Sequence, residues 1–281
     1  EPPASFALRF TWRENSPAAC RQFLQLIGSH RKVPITGRAL TQHFGPGSDV
    51  AQTLVTVLSS VVAGRIPDQR TDTLHTEWSR ALEVVYGSLD TVDGELAETV
   101  KSAYKLARTG PLGDSLFVLH TYFALVSRIL AVELLALAVG EPDDAPTSWS
   151  SLADDELIDR LRGLEQGELP GELEITNLFE ADLFSWWADE AKHNLSLLRA
   201  LRELLSAVDS FAFPRLVHGP QRAGDVLRDL YQSLVPNRLR KALGEFLTPH
   251  WLAEACRERL TLVGAPLQTG RILDPTCGTG T

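Results

Sequence analysis

The chain has 281 residues, 44% of them hydrophobic, and a formal net charge of −9 at neutral pH. This length and apolar content favour a sizeable core and two domains. The richest apolar stretch, residues 116–139, contains His120, Ser127, Arg128 and Glu133, so it predicts a buried helix and no membrane span.

Cysteine usage and the N-terminal residues indicate the compartment. Cys20, Cys256 and Cys277 are far apart and have neither disulfide spacing nor the paired spacing of a zinc site. No basic region followed by a short apolar core begins the chain, so no secretory signal is predicted. We therefore expect a reduced, cytoplasmic protein without a bound metal.

The negative charge is local. Residues 141–180 contain 12 acidic residues and two arginines, a net charge of −10, which leaves +1 for the rest of the chain. The acidity therefore does not exclude a surface that binds nucleic acid elsewhere, although it does not indicate one either.

The first part of the chain predicts a series of helices. Four prolines interrupt the first 40 residues. From residue 49 apolar residues recur at three- and four-residue steps until Gly64 and Pro67. The same periodicity predicts helices over 71–86, 93–108 and 114–139.

The acidic segment that follows is rich in Gly, Pro, Asp and Ser, which is typical of a surface loop. A helix over 154–161 fits inside it, and helical periodicity resumes over 177–187 and 189–208. Gly219 and Pro220 end this helical region.

After residue 222 the pattern changes. Helices are predicted over 224–233 and 237–243, and a third runs to about residue 260 with Thr248 at or near its cap and Pro249 in its first turn. Residues 271–274 predict a short buried strand. That strand leads directly into a glycine-containing turn.

The turn has the chemistry of a nucleotide-binding β–α unit. Gly278 and Gly280 allow a tight turn that approaches a ligand closely, and backbone amides there can bind a carboxylate or phosphate. Asp274, at the end of the strand, can face a positive group. A glycine-rich turn alone is also often purely structural.

Two longer strings are more specific. Residues 274–280, Asp-Pro-Thr-Cys-Gly-Thr-Gly, resemble the first motif of the amino-methyltransferases that act on adenine or cytosine in DNA. Residues 244–249, Gly-Glu-Phe-Leu-Thr-Pro, resemble the Gly-x-Phe-Tyr-Thr-Pro motif that precedes it in those enzymes. Leu247 departs from the pattern, because the family has an aromatic residue there.

The resemblance implies S-adenosylmethionine as the cofactor. It assigns the cofactor-binding role to eight residues: Phe246, Thr248, Pro249, Asp274, Pro275, Cys277, Gly278 and Gly280. These residues are expected to converge on one pocket. Cys277 is expected to pack beneath the turn and not to act as a nucleophile.

Looser similarities extend the resemblance. Residues 230–244, together with 119–122 and 179–186, resemble large methyltransferases of bacterial restriction and phage-exclusion systems. This similarity suggests a family without identifying a site. It implies double-stranded DNA, and other subunits of a defence system, as partners.

Several residues allow both a functional and a structural interpretation. His120 is favoured as a core residue over a catalyst, and the two tryptophans at 186 and 187 as packing residues over a base-stacking platform. Phosphate contact and an ordinary solvated helix face are equally open for three basic residues: Arg238, Arg240 and Lys241. Solvation or capping is favoured over metal binding for the acidic pairs at 143–144 and 154–155.

The family's catalytic motif, Asn/Asp-Pro-Pro-Tyr/Phe, does not occur in the sequence. The chain is therefore expected to be the inactive N-terminal part of a longer adenine-specific enzyme. The predicted fold is mainly α: a helical domain at 1–220, then the start of a class I, Rossmann-like α/β methyltransferase domain at 221–281. The alternative is a helical module that binds DNA or a partner subunit.

Overall fold

The computed structural model describes residues 32–86, 94–107, 110–139, 144–165, 182–213, 226–243 and 248–267, with a few single positions outside these ranges. Helices dominate this part of the chain, as predicted. The helices before the acidic segment are Gly37–Phe44 (α1), Asp49–Ala63 (α2), Arg70–Tyr86 (α3), Gly94–Tyr104 (α4) and Leu112–Val139 (α5). Those that follow are Asp154–Glu165 (α6), Trp187–Ala191 (α7), Leu195–Asp209 (α8), Val226–Leu234 (α9), Asn237–Leu243 (α10) and His250–Leu262 (α11).

The long helix α5 is the centre of the bundle. Of its 28 residues, 17 are buried, and α2, α3, α4, α6 and α9 all pack against it. Among the described helices it is the one long and apolar enough to cross a membrane. Its burial by the surrounding helices is instead the arrangement of a core helix in a soluble protein, so the prediction of a buried helix is confirmed.

Side-chain caps set the starts of three helices. Thr36, Ser48 and Asn194 each accept a hydrogen bond from the backbone N–H three residues later, at 3.1, 3.1 and 3.0 Å, before α1, α2 and α8. At the other end of α1, a Cβ atom on Gly45 would lie 2.3 Å from the Thr41 carbonyl oxygen. Because glycine lacks a Cβ atom, the backbone at Gly45 can turn close against the last turn of α1.

Distant parts of the chain meet beside α1. The Val33 N–H donates to the Ser210 carbonyl at 2.9 Å, and the Ala212 N–H donates to the Val33 carbonyl at 2.8 Å. These bonds form an isolated parallel bridge between residues 33 and 211. The segment before α1 is thereby tied to the end of α8.

Two buried tyrosines connect the core to its outer helices. The Tyr122 hydroxyl donates to the Phe44 carbonyl, and the Tyr104 hydroxyl donates to the Leu234 carbonyl, each at 2.7 Å. Burial raises the pKa of both hydroxyls well above the ordinary value. Both tyrosines therefore stay protonated as hydrogen-bond donors.

Helix α9 belongs to this core although it lies beyond residue 220. Leu230, Leu234 and Val235 are buried in the same apolar cluster as the earlier helices, and α9 packs extensively on α1. The helical core therefore continues at least to Val235. The domain junction predicted at 220–221 remains a prediction.

The helices predicted between 177 and 208 are interrupted. Within the described part of this region, a 3₁₀ turn at Asp182–Phe184 precedes α7, and residues 177–181 lie outside the description. The predicted helix over 189–208 breaks at residues 192–194. The Asn194 side chain accepts a hydrogen bond from the Leu197 N–H. This cap favours the start of a new helix at Leu195 over continuation of α7.

The acidic segment is only partly as predicted. Its described part holds a 3₁₀ helix, Pro146–Ser151, and then α6, which runs four residues beyond the predicted end at 161. The helix predicted over 93–108 ends early, at Tyr104, because Lys105 adopts a left-handed conformation with φ 54°. The Leu106 N–H then donates to the Lys101 carbonyl at 3.0 Å, a common way to end a helix.

The last described segment places the start of α11 and corrects the predicted strand. Pro249 occupies the N-cap position of α11 without a side-chain cap, so Thr248 lies next to the cap, as predicted, and Pro249 lies one residue before the first turn. Leu273 is 85% exposed, and neither it nor Arg271 is in a strand, so the predicted buried strand is wrong at these positions. The described residues offer no neighbouring strand to pair with and bury this segment.

Candidate functional site

A groove of about 500 Å³ lies between α2, the loop after it and the junction of α7 with α8. Val57 and Val61 give it an apolar surface and pack from below against the core. Thr71, Glu190 and Asn194 contribute polar groups. The groove is therefore lined mostly by polar side chains, with an apolar strip formed by Val57, Val61 and Ile66.

The loop at one side of the groove is held in place by charged groups. The Arg65 guanidinium donates to the Val62 carbonyl at 2.7 Å and to Asp114 Oδ2 at 2.9 Å, and its Nε lies 3.5 Å from Asp72 Oδ1. Asp68 adopts a left-handed conformation with φ 63°, and its N–H donates to Asp72 Oδ2 at 3.2 Å.

Asp114 joins this loop to the central helix. Its Oδ1 lies 2.9 Å from His75 Nε2, and the His75 ring packs edge-on against Phe117. Burial alone would raise the pKa of the Asp114 carboxyl, but hydrogen bonds and charge from His75 and Arg65 outweigh it and hold the pKa below the usual value. Asp114 therefore stays ionised as a structural anchor behind the groove.

A second buried carboxylate lies on α5. Glu133 is 3% exposed and accepts hydrogen bonds from both the backbone N–H and the hydroxyl of Thr147, each at 2.9 Å. Burial raises its pKa, although the Thr147 donors and Lys32 oppose that rise. This contact ties the 3₁₀ helix of the acidic segment to the core.

Two of the eight predicted cofactor residues fall in the described part of the chain. Thr248 is exposed, and Pro249 is half-buried at the start of α11. The other six lie outside the described residues: Phe246, Asp274, Pro275, Cys277, Gly278 and Gly280. Their convergence on one pocket remains a prediction.

The structural interpretation is correct for the two tryptophans. Trp186 and Trp187 are buried at 0% and 1% exposure. The Trp186 indole N–H donates to Thr121 Oγ1 at 3.0 Å, and its ring stacks on Phe117 at 5.6 Å between centroids. Neither ring is available to stack on a nucleic-acid base. His120 is half-buried with its ring against Trp78 at 5.6 Å.

The three basic candidates on α10 are in different environments. Arg238 forms an ion pair with Glu95 of α4, and Arg240 donates to the Val235 carbonyl at 3.2 Å. Lys241 is exposed. Arg238 therefore joins α10 to α4, and Arg240 bonds to the residue just before α10. The choice between phosphate contact and a solvated helix face stays open for all three.

The acidic pairs also have structural partners. Asp144 lies 3.3 Å from Arg160, and Asp154 lies 2.6 Å from Arg202. Arg202 also donates to the carbonyls of Ser150 and Leu152. Among the residues that the structure describes, no group of acidic, histidine or cysteine side chains could hold a metal ion.

The groove was not predicted from the sequence. Its walls come from residues 56–71 and 190–196, which form no recognisable motif and meet only because α2 packs on α8. The polar residues at positions 65, 71 and 194 were weak signals, since each could equally cap or cross-link a surface helix.

Comparisons of the chain with protein-family models, with curated proteins and with solved structures found no match.

Proposed function

We propose that this chain is the N-terminal part of a DNA adenine amino-methyltransferase that uses S-adenosylmethionine. The observation that carries the proposal is the pair of motifs at residues 244–249 and 274–280, which occur in the family's order. Two such strings in the right order are much less expected by chance than either one alone. On this proposal, residues 221–281 begin a Rossmann-like methyltransferase domain.

The motif residues suit the methionine end of the cofactor. The Asp274 carboxylate would face its ammonium group, and the backbone amides around Gly278 and Gly280 would bind its carboxylate. Thr248, which is exposed before α11, is accessible for a contact with the same ligand. When bound, S-adenosylmethionine supplies the methyl group for transfer.

The catalytic residues are expected outside this sequence. Methyl transfer to an exocyclic amine requires acceptors for its protons and an aromatic ring that stacks on the flipped base. The Pro-Pro-aromatic string that provides them in the family is absent from the sequence. The complete enzyme is proposed to act on double-stranded DNA in the cytoplasm, in a restriction-modification or phage-defence system with its other subunits.

Calorimetric titration of the full-length protein with S-adenosylmethionine tests this proposal. Asp274→Ala should weaken binding by about 1–3 kcal/mol, as expected for the loss of a charged hydrogen bond. Glu258→Gln, which removes one negative charge from the exposed surface of α11, is the matched control and should leave the affinity unchanged. Equal affinity of the wild type and Asp274→Ala would refute the role given to Asp274.

A methyl-transfer assay tests the reaction itself. The full-length protein should incorporate labelled methyl groups into DNA at adenine, and the 281-residue chain alone should incorporate none. Incorporation by the 281-residue chain that persists after repurification would contradict the placement of the catalytic residues outside it.

A second candidate function is a module that binds a partner subunit. Its support is α11 and the turn that follows it, where Trp251, Leu262 and Val263 are 69%, 78% and 69% exposed. Large exposed apolar side chains in one short segment are typical of contact surfaces. A module of this kind should not bind labelled DNA in a fluorescence anisotropy titration. Binding that weakens as salt concentration rises would instead favour the DNA-binding form of this alternative.

A further inference from the structure

The groove beside α2 has an apolar strip within a mostly polar lining, and that lining holds one acidic side chain. Val57 and Val61 lie against it, and Ile66, which is 56% exposed, stands at its loop side. Among the described residues that line the groove, Glu190 is the one acid and Arg65 the one base. The electrostatic preference of the groove therefore depends on how these two charges are compensated.

Arg65 is compensated by its own neighbours. Its guanidinium is 2.9 Å from Asp114 Oδ2 and 3.5 Å from Asp72 Oδ1, so two carboxylates face one cation. A ligand anion would have to compete with both of them. Arg65 therefore does not make the groove an anion site.

Glu190 has a different environment. It accepts a hydrogen bond from the Thr71 hydroxyl at 3.1 Å, and within the described ranges no cation forms an ion pair with it. Its neighbour Asp189 lies 3.5 Å from Arg70 and 3.4 Å from Arg162. Among the described residues, the structure thus pairs one of two adjacent acids with cations and leaves the other, the one in the groove, without a cation.

The helix ends at the groove do not change this preference. The C-terminal end of α2 carries a partial negative charge and the N-terminal end of α8 a partial positive one, and both border the groove. Asn194 already satisfies the Leu197 N–H of α8. Because the partial charges of the two helix ends oppose each other, the Glu190 carboxylate determines that the groove favours a positively charged ligand.

We propose that this groove binds a small organic cation, an ammonium group carried on an alkyl chain. The ammonium pairs with Glu190, and the alkyl chain lies on Val57, Val61 and Ile66, removing apolar area from water. The proposal does not depend on the proposed methyltransferase function, and neither of the two described cofactor residues, Thr248 and Pro249, lines the groove.

The test is an NMR titration of the ¹⁵N-labelled 281-residue chain with three matched probes: n-hexylammonium, 1-hexanol and hexanoate. Hexylammonium should shift the amide signals of Val57, Val61, Ile66 and Glu190, with a Kd of about 1 mM, a reasonable affinity for so small a ligand. Hexanol should bind at least about tenfold more weakly than hexylammonium, and hexanoate should not bind. Equal binding of hexanoate, or shifts confined to other regions, would overturn the proposal.

Two variants separate the charge from the fold. Glu190→Gln keeps an oxygen that can accept from Thr71 and should weaken hexylammonium binding about tenfold or more. Glu203→Gln makes the same change in charge on the exposed face of α8 outside the groove, and should bind as the wild type does. If Glu190→Gln is folded by its amide spectrum and binds as tightly as the wild type, the assignment to Glu190 is wrong.

Ile66→Ala tests the apolar half of the site. Because Ile66 is largely exposed, the substitution should leave the fold intact. It should weaken hexylammonium binding severalfold while leaving a difference between hexylammonium and hexanol. Unchanged affinity would show that the alkyl chain does not lie there.

Discussion

The carboxylates of Asp114 and Glu133 lie on the same helix, α5, but their pKa values are shifted in opposite directions. Asp114 is near the start of α5, where Arg65 and His75 overcome the effect of burial. Glu133 is deep in α5, where the effect of burial exceeds that of the Thr147 donors. The two residues should therefore affect stability in opposite directions as pH changes.

The substitution Asp114→Asn should lower the free energy of unfolding by about 1–3 kcal/mol at pH 7, because it removes the partner that Arg65 and His75 share. The folded pKa lies below the unfolded value near 3.8. The stabilisation by the carboxylate is therefore fully present above that value and is lost as pH falls through the folded pKa. Urea unfolding at several pH values should show the gap between the wild type and the variant narrowing under acid conditions.

For Glu133 the sign is reversed. Its folded pKa lies above the unfolded value near 4.5, so the wild type loses stability as pH rises through the folded pKa. Glu133→Gln cannot titrate, and its unfolding free energy relative to the wild type should rise with pH over this window. Thr147→Ala removes a donor that lowers this pKa, so its urea unfolding should depend more steeply on pH than that of the wild type.

These charged groups could not be paired from the sequence. Arg65, His75 and Asp114 lie on three separate segments that helix packing brings together. The two tryptophans were predicted correctly as packing residues, because an aromatic pair between helices is most often buried. The proposed cofactor residues depended on motif strings alone, and six of the eight lie outside the described residues.

At the scale of the elements, the cap before α8 offers a direct test. Asn194→Ala removes the acceptor for the Leu197 N–H and should cost about 1 kcal/mol of stability. Ser196→Ala, in the first turn of the same helix but without a capping bond, is the control and should have a much smaller effect. Equal loss of stability in the two variants, measured by thermal unfolding, would show that the cap does not hold the break between α7 and α8.

The helices were predicted well where periodicity and end signals agree. The helix that starts at residue 49 ends at Gly64 as predicted, and α10 matches its predicted bounds. The break at residues 192–194 was missed because apolar spacing continues through it, while the capping role of Asn194 depends on its backbone conformation. The short helix α1 was missed among the prolines of the first 40 residues, although Thr36 caps it.

At the scale of the whole molecule, α9 should be necessary for the helical core. Burial of Leu230, Leu234 and Val235 contributes roughly 1.5–3 kcal/mol each, an amount comparable with the total stability of a typical domain. A chain shortened to residues 1–220 should therefore lose cooperative unfolding in urea and its near-ultraviolet circular dichroism. A chain of residues 1–243 should retain both, and cooperative unfolding of the shorter chain at an unchanged midpoint would contradict the role of α9.

The arrangement of the helices was less predictable than their existence. Two contacts join segments that are about 180 residues or more apart in sequence. They are the parallel bridge between residues 33 and 211 and the packing of α1 on α9. Local periodicity shows which face of a helix is apolar but does not show which distant helix will cover it. The groove depends on such a contact, between α2 and α8, and could not be predicted for the same reason.

The central position of α5 has a consequence for synthesis of the chain on the ribosome. Leu234, at the end of the covering helix α9, is made about 95 residues after Val139. At ordinary rates of translation this interval lasts roughly 5–20 s. During this interval α5, a 28-residue apolar helix that is long enough to cross a membrane, is not yet packed against α9. The nascent chain should therefore be a substrate for chaperones that bind exposed apolar segments, and should aggregate more readily than the finished protein.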